Sequence, residues 1–289
     1  MNETTLQTAH HEFINHLKAK SRTTSTILAY GKDIEQLIDT VGSNGLTKPV
    51  NLTPQDIETF KDKLATDNYT PKSISRKINS IKAFCRFLKS QGYLTENPAE
   101  SISHPKYDVT PPRILSKLEY RALRDACRHD PRMSAIVEVL LQTGIRIGEL
   151  ANLQLDNVNL DKKELVIRPY ESHSEHTVPL NRPVLEAIQL YLQIRPKTRD
   201  NTLFVTKTGN PFLVRNIRTA VDRYFRLASI KKAKVNDLRH TFIAEQLAGG
   251  TPLTYISQLV GHKRLSTTEK YLKLIGNRHE KAEVRLEEL

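Results

Sequence analysis

The chain has 289 residues, 38% hydrophobic and 26% charged, enough apolar material for two ordinary domains with their own cores. Its 44 Lys and Arg against 32 Asp and Glu leave a net charge of +12, so an acidic polymer is the expected partner, although charge of this kind also serves solubility. The two cysteines, Cys85 and Cys127, have no metal-ligand spacing, which argues against a disulfide framework and for a reducing cytoplasm. No apolar run approaches the length of a membrane span, and the first residues lack the pattern of a signal peptide, so the expected location is cytoplasmic, on the nucleoid, with no membrane partner.

The first hundred residues read as four or five helices. Leu6, Ala9, Phe13, Ile14 and Leu17 have helical spacing, as do Ile27, Tyr30, Ile34, Leu37, Ile38 and Val41. Thr53 caps a third helix with Pro54 at its first position, and Ile57, Phe60 and Leu64 line its inner face. Thr70 and Pro71 open a fourth, with an apolar stripe through Ile74, Ile78, Ile81 and Leu88. Lys72, Arg76, Lys77, Lys82, Arg86 and Lys89 cover much of its remaining surface, and no acid falls between Lys72 and Lys89. A face of one sign suits phosphates, so Lys72, Arg76, Lys77, Lys82 and Arg86 are candidate DNA contacts; a solvated face is the alternative. Residues 1–103 form this helical domain, 104–113 a proline-rich linker, 114–276 a second domain, and 277–289 a charged C-terminal helix that could fold back or dock on another copy.

In the second domain a capping box at Ser116 and Glu119 opens a helix with Leu118, Ala122, Leu123 and Ala126 expected inward. A buried helix through Ile136 and Leu141 stops at Gly144, which leaves Arg146 among apolar residues. Such an arginine needs an anionic partner, either Glu149 or an external phosphate. Residues 158–160, 164–167 and 177–180 alternate as a small antiparallel sheet. Amphipathic helices follow over 183–194 and 211–228. The second carries Arg215 and Arg218 after a loop with Lys207, and these three are further candidate DNA contacts. Residues 236–248 read as a helix capped by Asn236 with Arg239 in its first turns. The next helix ends at Gly261, followed at once by His262, and Ser266 or Thr267 caps a short helix carrying Tyr271.

Two arginines, a histidine and a tyrosine in a basic chain suit phosphodiester chemistry. The arginines can grip non-bridging oxygens, the histidine can hydrogen-bond the phosphate or move a proton, and the tyrosine can attack phosphorus. No metal is needed for such a step and no metal cluster is evident, so no cofactor is expected.

The segments TGIRIGEL (143–150), LRHTF (238–242) and LVGHKRLSTTEKY (259–271) resemble, in order and spacing, the signature boxes of tyrosine recombinases of the phage-integrase family. The chain's length and helical first domain are similar to the Xer-like branch. The resemblance implies a mainly α fold with a small antiparallel β-sheet in the second domain. It implies a helical SAM-like core-binding domain and a mixed α/β catalytic domain that clamp DNA. The implied activity is site-specific recombination through a covalent 3′-phosphotyrosine: dimer or cointegrate resolution, or integration and excision of a mobile element. Implied partners are double-stranded DNA with an inverted-repeat core site and further copies of the chain, a monomer or weak dimer when free and a tetramer in the synapse, with a second recombinase or accessory proteins as further partners. Arg146, Arg239, His262 and Tyr271 match the family's two arginines, its third-box histidine and its nucleophile.

Two positions depart from the pattern. Asn236 stands where the family has a histidine, and Glu171 where a hairpin lysine is thought to protonate the leaving oxygen. His173 or His176 could supply that proton, or Lys162, Lys163 or Lys207 could reach in, or cleavage is simply slower. The departures also leave open a catalytically impaired, DNA-binding accessory protein, and a type IB topoisomerase-like activity shares the chemistry.

Overall fold

The structure, a computed structural model, describes residues 4–43, 45–171 and 173–275. It divides into two units, 1–109 and 110–289. The C-terminal helix expected over 277–289 lies outside the described residues.

The first unit is built from α1 (Leu6–Ala19), α2 (Thr24–Gly42), α3 (Pro54–Thr66) and α4 (Pro71–Ser90), with a short 3-10 turn at Pro49–Asn51. Hydroxyl side chains start each helix. Thr53 accepts the Asp56 N–H at 3.3 Å while the Asp56 carboxylate accepts the Thr53 N–H at 2.9 Å, so two amides that the first turn would leave unpaired are satisfied. The apolar stripes of the four helices meet around Phe13, Ile34, Phe60 and Phe84.

The basic face of α4 is not the uniform surface that its own sequence suggests. Asp33, on α2 and 1% exposed, accepts bonds from Arg76 at 2.5 and 2.8 Å, from Lys77 at 2.9 Å and from Ser80 at 2.6 Å. Lys77 also donates to Gln36 and is only 5% exposed. A buried carboxylate requires such partners. Lys77 therefore belongs to the interior of this unit, and the expectation that it contacts phosphate is corrected. Arg76 keeps an exposed side while bonded to Asp33; Lys72 and Arg86 are exposed and Lys82 is partly so.

The second unit runs α5 (Lys117–Cys127), α6 (Pro131–Thr143), α7 (Ile147–Ala151), β1 (Val158–Asn159), β2 (Glu164–Ile167), β3 (His176–Pro179), α8 (Arg182–Ile194), α9 (Val214–Leu227), α10 (Val235–Ala248), α11 (Leu253–Leu259), α12 (Ser266–Glu269) and α13 (Leu272–Ile275). The strands form an antiparallel sheet in the order β1-β2-β3, with Ile167 opposite His176 at one end and Glu164 opposite Pro179 at the other. Helix α6 packs against α8 and α10 at the centre of the core. Cys127, like Cys85 in the first unit, is a buried free thiol. Leu118 faces solvent at 77% exposure, contrary to the inward position read from its spacing, while Leu123 and Cys127 carry the buried stripe of α5. Among the described residues no helix is long and apolar enough to cross a membrane.

Two glycines set the geometry of the site. Gly144 ends α6 at φ +64°, and a Cβ there would lie 2.3 Å from the Phe242 ring, so only glycine allows α10 to approach this closely. At Gly148 a Cβ would lie 2.6 Å from the Tyr170 ring, so the β2–β3 hairpin tip packs directly on α7.

Candidate active site

Arg146 occupies the N-cap of α7. Its backbone N–H donates to Glu149 Oε2 at 2.7 Å and its Nη1 to Glu149 Oε1 at 2.8 Å. The remaining guanidinium bonds reach the end of α11: Nη1 donates to the Val260 carbonyl at 3.2 Å and Nη2 to the Gly261 carbonyl at 2.9 Å. Arg239, on α10 and 6% exposed, donates to the Gly144 carbonyl at 2.5 Å and to the same Val260 carbonyl at 2.7 Å. Carbonyls at a helix C-terminus carry partial negative charge and suit guanidinium groups. One carbonyl thus holds two cations side by side. Burial, then the neighbouring Arg146, pulls Arg239 down to about 10, so it remains charged at neutral pH.

Two cations against the single carboxylate of Glu149 leave excess positive charge in a partly dry site. Such a site is ready for an anion. Glu149, 2% exposed, is the intrachain partner of Arg146, yet it does not neutralise the pair.

Gly261 takes the left-handed conformation at φ +63°, and a Cβ there would crowd His176 and the Arg146 guanidinium at 3.2 and 3.4 Å. The turn delivers His262, whose Nδ1 lies 2.7 Å from the buried hydroxyl of Thr268. Burial, then Arg239 and Arg146, depress His262 to about 4, so the imidazole is neutral near pH 7. Tyr271 is 5% exposed. It sits in the turn between α12 and α13 rather than on the helix expected to carry it, because α12 starts after Leu265 without a side-chain cap and ends at Glu269. Burial raises the phenol's proton affinity and Arg239 opposes the rise.

The hairpin brings histidines to the arginines. Tyr170 and His173 exchange backbone hydrogen bonds at 3.2 and 3.0 Å, closing a tight turn with Glu171 exposed at its tip at φ +54°. His173 is lowered by burial, then by Arg146, with Lys263 and Arg239 adding to the effect and Glu149 opposing it. His173 Nδ1 and His176 Nε2 are buried without a hydrogen-bond partner. Lys162 and Lys163 lie at the opposite end of β2, about 13 Å along the strand at the usual rise per residue, which removes them as stand-ins for a hairpin-tip lysine. Lys207, Arg215 and Arg218 are exposed.

Asn236 is not a helix cap. The cap falls at Lys234, whose N–H is accepted by Asp237 at 2.8 Å, so Asn236 lies in the first turn of α10. Its Nδ2 instead lies 2.7 Å from His240 Nε2. His240 Nδ1 in turn lies 2.5 Å from Tyr271 Oη. His240, against Tyr271, and Lys263, whose charge acts on His173, are further residues of the site that local sequence patterns do not mark. The only sequence signal for the first was the i, i+4 spacing of Asn236 and His240 on one helix face.

An arginine pair over a helix terminus, with a buried tyrosine and the neutral His262 beside it, is an arrangement able to hold an anion and offer it a nucleophile. The phage integrase family model matches residues 113–277 and the phage integrase N-terminal SAM-like domain matches 11–92. The chain belongs to the phage integrase family. It is 29% identical over 273 residues to tyrosine recombinase XerC of Thermodesulfovibrio yellowstonii, covering 90% of this chain and 89% of that one. It is 27% identical over 292 residues to tyrosine recombinase XerD of Rickettsia bellii, covering 94% and 95%. Among solved structures, the XerA recombinase is 28% identical, covering 94% of this chain and 95% of that one, at a TM-score of 0.55. The Tn1549 transposon integrase in complex with transposon right end DNA is 16% identical, at a TM-score of 0.80 over 93% and 94% of the chains, and shows the shared fold.

Proposed function

We propose that the protein is a site-specific DNA recombinase that cuts and rejoins strands through a covalent 3′-phosphotyrosine. Tyr271 Oη attacks a phosphodiester in line with the leaving 5′-oxygen. Arg146 and Arg239 hold the non-bridging oxygens and stabilise the charge that builds on them. His262 donates a hydrogen bond to the same phosphate. The link conserves the ester, so a 5′-hydroxyl from a second strand reverses the step. The observation that carries this reading is the sharing of the Val260 carbonyl by Arg146 and Arg239, which builds an excess of positive charge beside the buried Tyr271.

His173 or His176 supplies the proton to the leaving oxygen. What supports this is their unpartnered buried nitrogens and the closeness of His176 to Arg146 across Gly261. A bound phosphate adds negative charge that opposes the lowering which burial and Arg146 impose on His173 in the free state. The DNA partner is a duplex site with inverted repeats, gripped by Lys72, Arg76, Lys82, Arg86, Lys207, Arg215 and Arg218. Strand exchange between two sites takes four copies of the chain.

The test begins with selection of binding sites from a random duplex library. A selected site nicked beside the cleavage point should trap a covalent complex, and Tyr271→Phe should abolish it while binding persists. Tight specific binding with no covalent complex from the wild-type chain would instead favour an accessory DNA-binding role.

A further inference from the structure

Tyr271 must lose its phenolic proton as it bonds to phosphorus, and burial makes that proton harder to remove. The residue hydrogen-bonded to the phenol is not His262, whose Nδ1 is taken by Thr268, but His240. His240 Nδ1 is 2.5 Å from Oη, with the two rings 5.8 Å apart. Its other nitrogen, Nε2, lies 2.7 Å from Asn236 Nδ2, one helical turn earlier, an orientation in which the amide donates and Nε2 accepts. A neutral imidazole has one donor and one acceptor nitrogen, and its partners decide which is which. A half-turn of the amide, which leaves the heavy-atom positions nearly unchanged, sets Oδ1 against Nε2–H and leaves Nδ1 as an acceptor facing the phenol.

We propose that Asn236, His240 and Tyr271 form a proton relay in which His240 Nδ1 removes the phenolic proton during strand cleavage and Asn236 orients the imidazole. The relay rests on Tyr271 being the nucleophile. As the Oη–H bond breaks, its proton passes to Nδ1 and its electron pair forms the Oη–P bond. The P–O5′ bond breaks with its pair on oxygen, which takes a proton from the hairpin histidines. In religation the 5′-hydroxyl gives its proton to a hairpin histidine as its oxygen bonds to phosphorus, the P–Oη bond breaks with its pair on Oη, and His240 returns its proton there. The charged and titratable groups around His240 are Asp237 and Arg239 on its own helix, and Tyr271 and His262 on the segment packed against it. Burial and Arg239 outweigh Asp237 and lower His240 from its usual value, so it is unprotonated and receptive near pH 7.

Single-turnover cleavage of the nicked site, followed across pH, tests the relay. The wild-type rate should fall on the acid side as His240 is protonated. His240→Gln should be slower by about 10²–10⁴-fold, the usual contribution of a general base, and should lose that acid limb. Asn236→Asp, on the exposed surface of α10, sets a carboxylate against Nε2–H and should move the limb to higher pH, a change that a purely structural role does not produce. Sulfur in place of the bridging 5′-oxygen gives a leaving group that needs no proton. It should rescue a His173→Ala/His176→Ala chain and leave His240→Gln slow. A wild-type rate or an unchanged acid limb in His240→Gln, or its rescue by sulfur, would overturn the relay. ¹⁵N NMR of the DNA-free full chain gives an independent reading: the relay requires His240 as the Nε2–H tautomer, and an Nδ1–H tautomer would overturn it. A wild-type chain that forms no covalent complex would instead remove Tyr271 as nucleophile, with the tautomer still decided by NMR.

Discussion

Arg239 is a buried charge held on both sides of its guanidinium. Its two carbonyl bonds, to Gly144 and Val260, come from the C-terminal ends of α6 and α11, which meet only in the folded state. Lysine has one nitrogen and no planar fork, so Arg239→Lys cannot keep both bonds and still present two donors to a phosphate. Cleavage by Arg239→Lys should fall by about 10²–10³-fold, the usual cost of removing a preorganised donor, with DNA binding little altered; the nicked-site assay reads it. His262 makes a prediction in pH. Its folded value of about 4 lies below the usual histidine value of about 6.5, so between these limits the unfolded chain binds the proton and the folded chain does not. Its contribution is therefore intact above about pH 6.5 and is lost as pH falls toward 4. The urea midpoint should drop over that window, and His262→Asn should flatten the drop.

At the scale of elements, the site depends on how closely α6, α7 and α10 approach. Gly144→Ala puts a Cβ into the Phe242 ring at a left-handed φ, and should destabilise the second unit by about 2–4 kcal/mol by overpacking and strain, read as a lower unfolding midpoint. The sequence made much of this level legible. Thr53, Thr70 and Ser116 are the caps that hydroxyl-plus-acid or hydroxyl-plus-proline spacing predicts, and the three strands fall within two residues of their alternating runs. Arg146, Arg239, His262 and Tyr271 were picked out by the three segments that carry them. What escaped depends on distant partners. Lys77 looks like a surface lysine until Asp33, 44 residues earlier, turns it inward. His240 looks like a helix residue of no special role until Tyr271, 31 residues later, lies against it. The carbonyls of Val260 and Gly261 have no side-chain signature at all. A local pattern registers periodicity and caps; it cannot register a contact made by a backbone oxygen.

At the scale of the whole molecule, the net charge of +12 is a statement about binding rather than fold. DNA affinity should fall steeply with salt, and neutralising an exposed cation that meets phosphate should reduce the log–log slope by about 1. Arg86→Ala and Arg215→Ala should each do so. Lys77→Met should leave the slope unchanged and lower stability, because it strips a bond from the buried Asp33. Binding isotherms across a salt series check all three.

The covalent mechanism turns on where DNA becomes attached. Protease digestion of the trapped complex, followed by mass spectrometry of the DNA-linked peptide, should place a 3′-phosphoryl adduct on Tyr271 and leave a free 5′-hydroxyl on the departing strand. An adduct on any other residue, or a 5′-phosphoryl link, would contradict it.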